Sequence, residues 1–115
     1  MEQFGLSLEH IVQRSEQLHM VRRDDLRVGD IVYVKTLNSV YRIHVEEHCS
    51  YRVSGGWFDR KSDLPVRTTI AGCTWGGSVI KVDVVAVLGL SLEFGNCVTT
   101  SPIQRIILIR REQQN

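Results

Sequence analysis

From Ile31 onward the chain alternates apolar and polar positions with a period of two, and short turn-forming clusters interrupt the alternation. Ile31–Thr36 and Val40–Glu46 predict a hairpin closed by Leu37, Asn38 and Ser39, because Asn tolerates the left-handed conformation that so short a link requires. Tyr41, Ile43 and Val45 face inward in this scheme, and Arg42, His44 and Glu46 face water. A third strand begins at Cys49, Tyr51 and Val53 and ends at Gly55-Gly56. Trp57 to Pro65 mixes aromatics with charges and predicts a mobile surface loop. Val66–Ala71 predicts another strand, followed by a glycine-bearing loop from Gly72 to Ser78. Val79 to Leu88, apolar at almost every position, predicts the longest strand, buried on both faces. Gly89 then allows a bend into Leu90–Phe94, Gly95-Asn96 signals a turn, and Cys97–Thr100 and Ile103–Arg110 complete the strand set.

The N-terminal part differs. Leu8, Ile11, Val12, Ser15 and Leu18 recur at helical spacing, and Ser7 can accept a hydrogen bond from the first turn, so Ser7–Met20 predicts an amphipathic helix. Its apolar stripe is narrow and requires a surface to lie on, either as a lid on the sheet or as an arm that engages a partner. The whole pattern predicts an all-β fold, a small curved sheet or barrel spanning residues 29–110, with the N-terminal helix packed on it and a frayed tail from 111 to 115. The length of 115 residues fits one domain.

Composition narrows the function classes. With 14 basic and 13 acidic residues, the net charge of +1 provides no long-range field for a polyanion, which favours a protein or small-molecule partner over nucleic acid. The start of the chain does not resemble a signal peptide, and the longest apolar stretch is far too short to cross a bilayer, so a cytoplasmic location without membrane attachment is expected. The odd count of 3 cysteines fits a reducing compartment.

Catalytic and metal chemistry find little support. Cys49, Cys73 and Cys97 are isolated, and His44 and His48 would lie about 13 Å apart on an extended strand, so neither metal nor cofactor is expected. Cys49 and His48, as strand neighbours, point to opposite faces, which leaves the thiol without a base. The glycine pairs lack the lysine and following helix of a phosphate loop. An enzyme with an unrecognised site remains an alternative, and so does a nucleic-acid-binding small barrel. The favoured expectation is a non-catalytic binding or scaffolding module. Trp57, Phe58, Arg60 and Lys61 combine stacking surface with positive charge on one segment; Trp75, Asn38 and Ser39 lie in further loops. Trp57 and Phe58 could equally fold back to plug the end of a barrel.

The segments "GDIVYVKTLNSVYRI", "YRVSGGWF", "IAGCTWGGSVIKVDVVAVLGLSLEF" and "VTTSPIQRI" together resemble a family of small uncharacterised bacterial proteins. The resemblance spans Leu26 to Ile107 and rests on Asn38, Ser39, Tyr41, Gly55, Gly56, Gly76, Gly77, Ser78, Thr100 and Ser101. It implies a small all-β protein of bacterial origin and brings no assigned activity.

Overall fold

The computed structural model describes residues 16–47, 49–75 and 79–114. The described chain is mostly β. Its strands are β1 (Glu16–Leu18), β2 (Met20–Arg22), β3 (Ile31–Thr36), β4 (Val40–Glu47), β5 (Ser50–Gly55), β6 (Val66–Thr68), β7 (Ile70–Trp75), β8 (Val79–Lys81), β9 (Val84–Val87), β10 (Ser91–Phe94) and β11 (Thr99–Ile109). One nine-stranded sheet runs β6-β5-β4-β3-β11-β10-β7-β8, with β1 added to β11, and it curls into a half-barrel. β2 and β9 pair separately.

The predicted hairpin is present. In it Val32, Val34, Tyr41, Ile43 and Val45 are buried on the concave side, while Tyr33, Lys35, Arg42 and His44 face the other way. Its turn is fixed by Thr36, whose hydroxyl donates to the Ser39 carbonyl and accepts from the Ser39 amide, both at 3.1 Å. The convex side carries a second small apolar area, where Ile31 and Ile107 are buried over β3 and β11.

β11 departs from the sequence expectation of two separate segments. It is continuous for 11 residues and includes Pro102. Its register slips between Ile103, which faces Thr36, and Arg105, which faces Lys35. This bulge reverses the inside-outside parity, so that Ile103 and Ile106 both enter the core while Arg105 turns outward opposite Lys35.

Val79–Leu88 is likewise not one strand. A turn at Val82-Asp83 separates β8 from β9, and Val84, Val85 and Ala86 are fully buried whereas Val82 is exposed. Gly72 does not open a loop; β7 runs through it to Trp75. The predicted frayed tail instead begins with a 3-10 turn at Arg111–Gln113, and Gln114 donates to the Gly29 carbonyl at 2.8 Å. Of the predicted helix Ser7–Met20, the part up to residue 15 lies outside the described residues. The remainder is extended, because β11 continues past β10 and its exposed backbone edge pairs with β1.

The segment expected to be a loop after β5 contains the one helix among the described elements, α1 (Gly56–Lys61). Gly55 introduces it with φ +100°, and a Cβ there would collide with the Val40 carbonyl, so only glycine lets the strand turn into the helix. Asp59 reaches back to accept from the Gly55 amide at 2.8 Å. The helix is too short to be stable alone, and its anchor is Phe58. That ring is 1% exposed and stacks edge-on against Phe94, with centroids 4.8 Å apart, and against Tyr41 at 6.2 Å. Trp57 packs on Phe58 in turn. α1 is therefore held to the sheet by the Phe58 ring, which enters the core between Tyr41 and Phe94. Phe58→Ala should cost roughly 3–5 kcal/mol, the range for deleting a buried aromatic, read as a lowered urea midpoint with an unchanged slope.

Candidate functional site

The residues singled out from the sequence do not converge. Phe58 belongs to the core and offers no face to a ligand, because its ring is enclosed by Tyr41, Phe94 and Trp57. Trp57 is half-buried, with the Lys61 ammonium 5.6 Å from its ring centroid, and Arg60 and Lys61 are exposed. Asn38 and Ser39 form the β3–β4 turn, where the Asn38 amide donates to the Ser101 hydroxyl at 3.2 Å. Trp75, 79% exposed at the end of β7, is separated from that turn by β10 and β11. Thr74, Ser91 and Pro102 are in register, and the Pro102 carbonyl accepts from Leu37, so the separation is about three strand spacings, or ~14 Å.

A different constellation emerges on the convex face. Register places Ile31, His44, Arg52 and Arg67 in one row across β3, β4, β5 and β6. Arg52 and Arg67 are thus directly opposite each other, and His44 is directly opposite Arg52. Arg42 lies one row away on the same face, and Lys35 and Arg105 form a second like-charged cross-strand pair. Like charges in this arrangement destabilise a sheet. The relief is Glu46, which accepts from Arg52 at 2.5 Å and from Arg67 at 3.1 Å. Glu46 is the one acidic side chain that alternation places on this face of β3–β6 among the described residues.

These contacts set the ionisation of the row. Hydrogen bonding from Arg52 holds the Glu46 carboxyl below the usual glutamate range. Burial, followed by the neighbouring charges of Arg42 and Arg52, pushes His44 down, with Glu46 opposing. His44 therefore stands neutral among cations.

The row ends in a cleft of about 430 Å³ lined by Val28, Gly29, His44, Val45, Glu46, Glu47, Arg67 and Arg111. The turn before β3 forms its wall. Asp30, 1% exposed, fixes that turn by accepting from the Arg27 amide at 2.9 Å, the Arg111 amide at 3.2 Å and the Arg110 guanidinium at 2.8 Å. Gly29 has φ +96°, and a Cβ on it would lie 2.7 Å from Arg111 Cδ, so the glycine lets the Arg111 stem lie across the turn. The Arg111 guanidinium has no hydrogen-bond or ion-pair partner among the described residues. A second hollow of about 250 Å³, lined by Arg23, Leu26, Arg27, Val28, Val45, Glu47, Cys49 and Tyr51, shares Val28, Val45 and Glu47 with the first.

Sequence reasoning placed Arg42, His44 and Glu46 on the solvent side of their strand, but only register shows that Arg52 and Arg67 join them. Among the described residues no group of three or more His, Cys, Asp or Glu side chains is close enough to hold a metal ion. No described helix is long and apolar enough to cross a membrane. Comparison with protein-family models, curated proteins and solved structures finds no match to this chain.

Two predictions follow from these environments. The Glu46 ion pairs, having a lowered native carboxyl pKa, contribute fully above the ordinary glutamate value and are lost as pH falls through the native one. The difference in urea midpoint between the wild type and Glu46→Gln should therefore shrink toward zero between about pH 6 and about pH 3. The thiols divide differently. Cys49 and Cys97 are exposed at positive-φ turn positions, whereas Cys73 is buried with its pKa pushed up to about 11 by desolvation. A thiol-disulfide reagent should titrate Cys49 and Cys97 in the native protein and reach Cys73 only after denaturation.

Proposed function

We propose that this protein is a non-catalytic binding module whose ligand carries negative charge and is held by the convex face and the cleft at its edge. The observation that carries this reading is the His44–Arg52–Arg67 row, in which the two guanidinium groups Arg52 and Arg67 stand directly opposite each other on adjacent strands beside His44. Glu46 bridges this pair in the free protein, and an external anion would add to or replace that carboxylate as the partner of the two arginines. Arg111, without a guanidinium partner among the described residues, lines the same cleft and adds a second direction from which an anionic group can be clamped. Neutral His44 would serve there as a hydrogen-bond partner and would gain a proton more readily once an anion is beside it.

The alternative contact surface, around Trp57, Arg60 and Lys61, is weaker in this geometry. Phe58 is enclosed, and Trp57 already has the core on one side and Lys61 on its ring. The three free thiols support a reducing, cytoplasmic setting. The resemblance to a family of small bacterial proteins is consistent with such a setting and names no ligand.

Inorganic pyrophosphate is a suitable probe of the anion site. Its addition should raise the His44 pKa, followed through the imidazole C2 proton by NMR, and should shift the Gly29 and Val45 amides. Arg67→Ala and Arg111→Ala should each reduce the response. An unchanged His44 titration at millimolar pyrophosphate would remove the cleft from the functional argument.

A further inference from the structure

β6 ends the main sheet. β5 lies along one side of it, and among the described residues no strand lies along the other. The ladder determines which backbone groups face that open side. The amide and carbonyl of Val45 both turn toward β3, where the amide donates to Asp30 and the carbonyl accepts from Gly29. Successive residues of an antiparallel strand address opposite neighbours, so His44 turns toward β5 and meets Arg52 as a hydrogen-bonded pair. The same alternation turns the Gly55 amide away from β4, in keeping with its donation to Asp59. One strand further out, Tyr51 and Val53 bond Thr68 and Val66, which leaves the amide and carbonyl of Arg67 pointing away from the sheet. Among the described residues no hydrogen bond beyond the ladder reaches either group. The next residue of that parity, Thr69, already gives its carbonyl to the Gly95 amide at 2.8 Å, and Pro65 on the other side has no amide. The open pairing position of this edge is Arg67.

The side chains around that position define what could pair there. Arg52 and Arg67 both reach Glu46 through Nε, and their terminal nitrogens have no hydrogen bond among the described residues. A residue opposite Arg67 on an added antiparallel strand would exchange both backbone bonds with it. Its side chain would then lie on the convex face beside those nitrogens, where a carboxylate fits. The residues flanking it would fall on the concave side, next to Val66 and Thr68. Val66 is only partly covered and packs against the core, so apolar side chains suit those two positions. A second copy of β6 is a poor occupant, because two-fold pairing would set one Arg67 against the other.

Building on the reading of this face as an anion site, we propose that the ligand is an extended peptide segment with one acidic residue between two apolar ones. It adds to β6 as an antiparallel strand with the acid opposite Arg67.

NMR titration of the full chain with acetyl-Thr-Val-Glu-Val-Thr-amide tests the proposal. The peptide should shift the Arg67 amide and slow its hydrogen exchange. Gln in place of the peptide Glu should weaken binding roughly 1.5- to fivefold, the range for one cross-strand charge pair. N-methylation of that Glu, whose amide faces Arg67, should weaken binding by about tenfold or more, because it removes one bond and puts a methyl group in the ladder. N-methylation of either Val, whose amide faces away, should leave binding nearly unchanged. Arg67→Ala, with its fold checked by the urea midpoint, should abolish the preference for Glu over Gln and retain the N-methyl effect.

Two results overturn the proposal while leaving the anion site intact. One is an Arg67 amide indifferent to the peptide although pyrophosphate still raises the His44 pKa. The other is equal affinity for the N-methyl-Glu and N-methyl-Val peptides, which would mean that charge alone is recognised. Failure of both probes removes the anion site as well. Protection of the Arg67 amide that grows with protein concentration before peptide is added would assign the edge to a second copy and also overturn the proposal.

Discussion

The architecture depends on the backbone pairing of β11. One edge of this strand meets β3 from Ile103 to Ile109, and the other meets β10 in its first half and β1 in its second. It is the only described strand that hydrogen-bonds three others in the main sheet. Its bulge at Ile103/Arg105 has two effects that cannot be separated. It keeps Ile103 and Ile106 in the core on either side of the slip, and it turns Arg105 out beside Lys35. A regular strand would carry Arg105 to the apolar side, where a guanidinium without water or a partner is strongly disfavoured. The same irregularity therefore serves core packing and sets Arg105 in register with Lys35 on the outer face.

Much of the fold was legible in the sequence. Strict alternation over Ile31–Glu46 gave the hairpin with the correct inward set, because a half-buried antiparallel strand leaves a period-two signature. β11 was obscured by Thr-Thr-Ser-Pro, whose polarity and missing amide read as an interruption; Pro102 is accommodated because it has no amide to donate, while its carbonyl accepts from Leu37. α1 is not legible because six residues contain too few turns to establish a helical period, and its stability comes from Phe58 entering the core against Tyr41 and Phe94. β9 lay within an apolar run that sequence could not divide. Its neighbour β8 ends at a turn made by Val82 and Asp83, in which Val82 is exposed despite its type.

The candidate site was hidden for a different reason. Net charge sums over all surfaces, whereas the sheet sorts residues by parity and register. Acids such as Asp24, Asp25, Asp59, Asp63 and Asp83 lie in turns and in α1, away from the strand rows. Arg42, Arg52, Arg67, Lys35 and Arg105 share one face. Parity could be read from each strand alone, but the row His44–Arg52–Arg67 requires the pairings β4–β5 and β5–β6, each separated from its partner by a turn of unpredictable length. Glu46 occupies a dual position as a result. It shields the arginines in the free protein and is the competitor that any external anion must displace or share.

The position of β11 in chain order bears on how the molecule reaches its native state. Arg110 meets Asp30 across a sequence separation of 80, and Ile109 pairs with Ile31. The strand that completes the sheet follows all of its partners in the chain. The β3–β4–β5 meander can assemble from local contacts, yet the outer edge of β3 and the free edge of β10 stay unmatched until β11 arrives. Long-range pairing of this kind slows folding, because a large loop must be closed before its contacts form. During synthesis on the ribosome two hydrogen-bonding edges are consequently exposed together, on either side of the place reserved for β11. In that interval the nascent chain is open to pairing with a second copy of itself, and the arginines of the convex face, repelling their counterparts on a neighbouring molecule, are positioned to disfavour it.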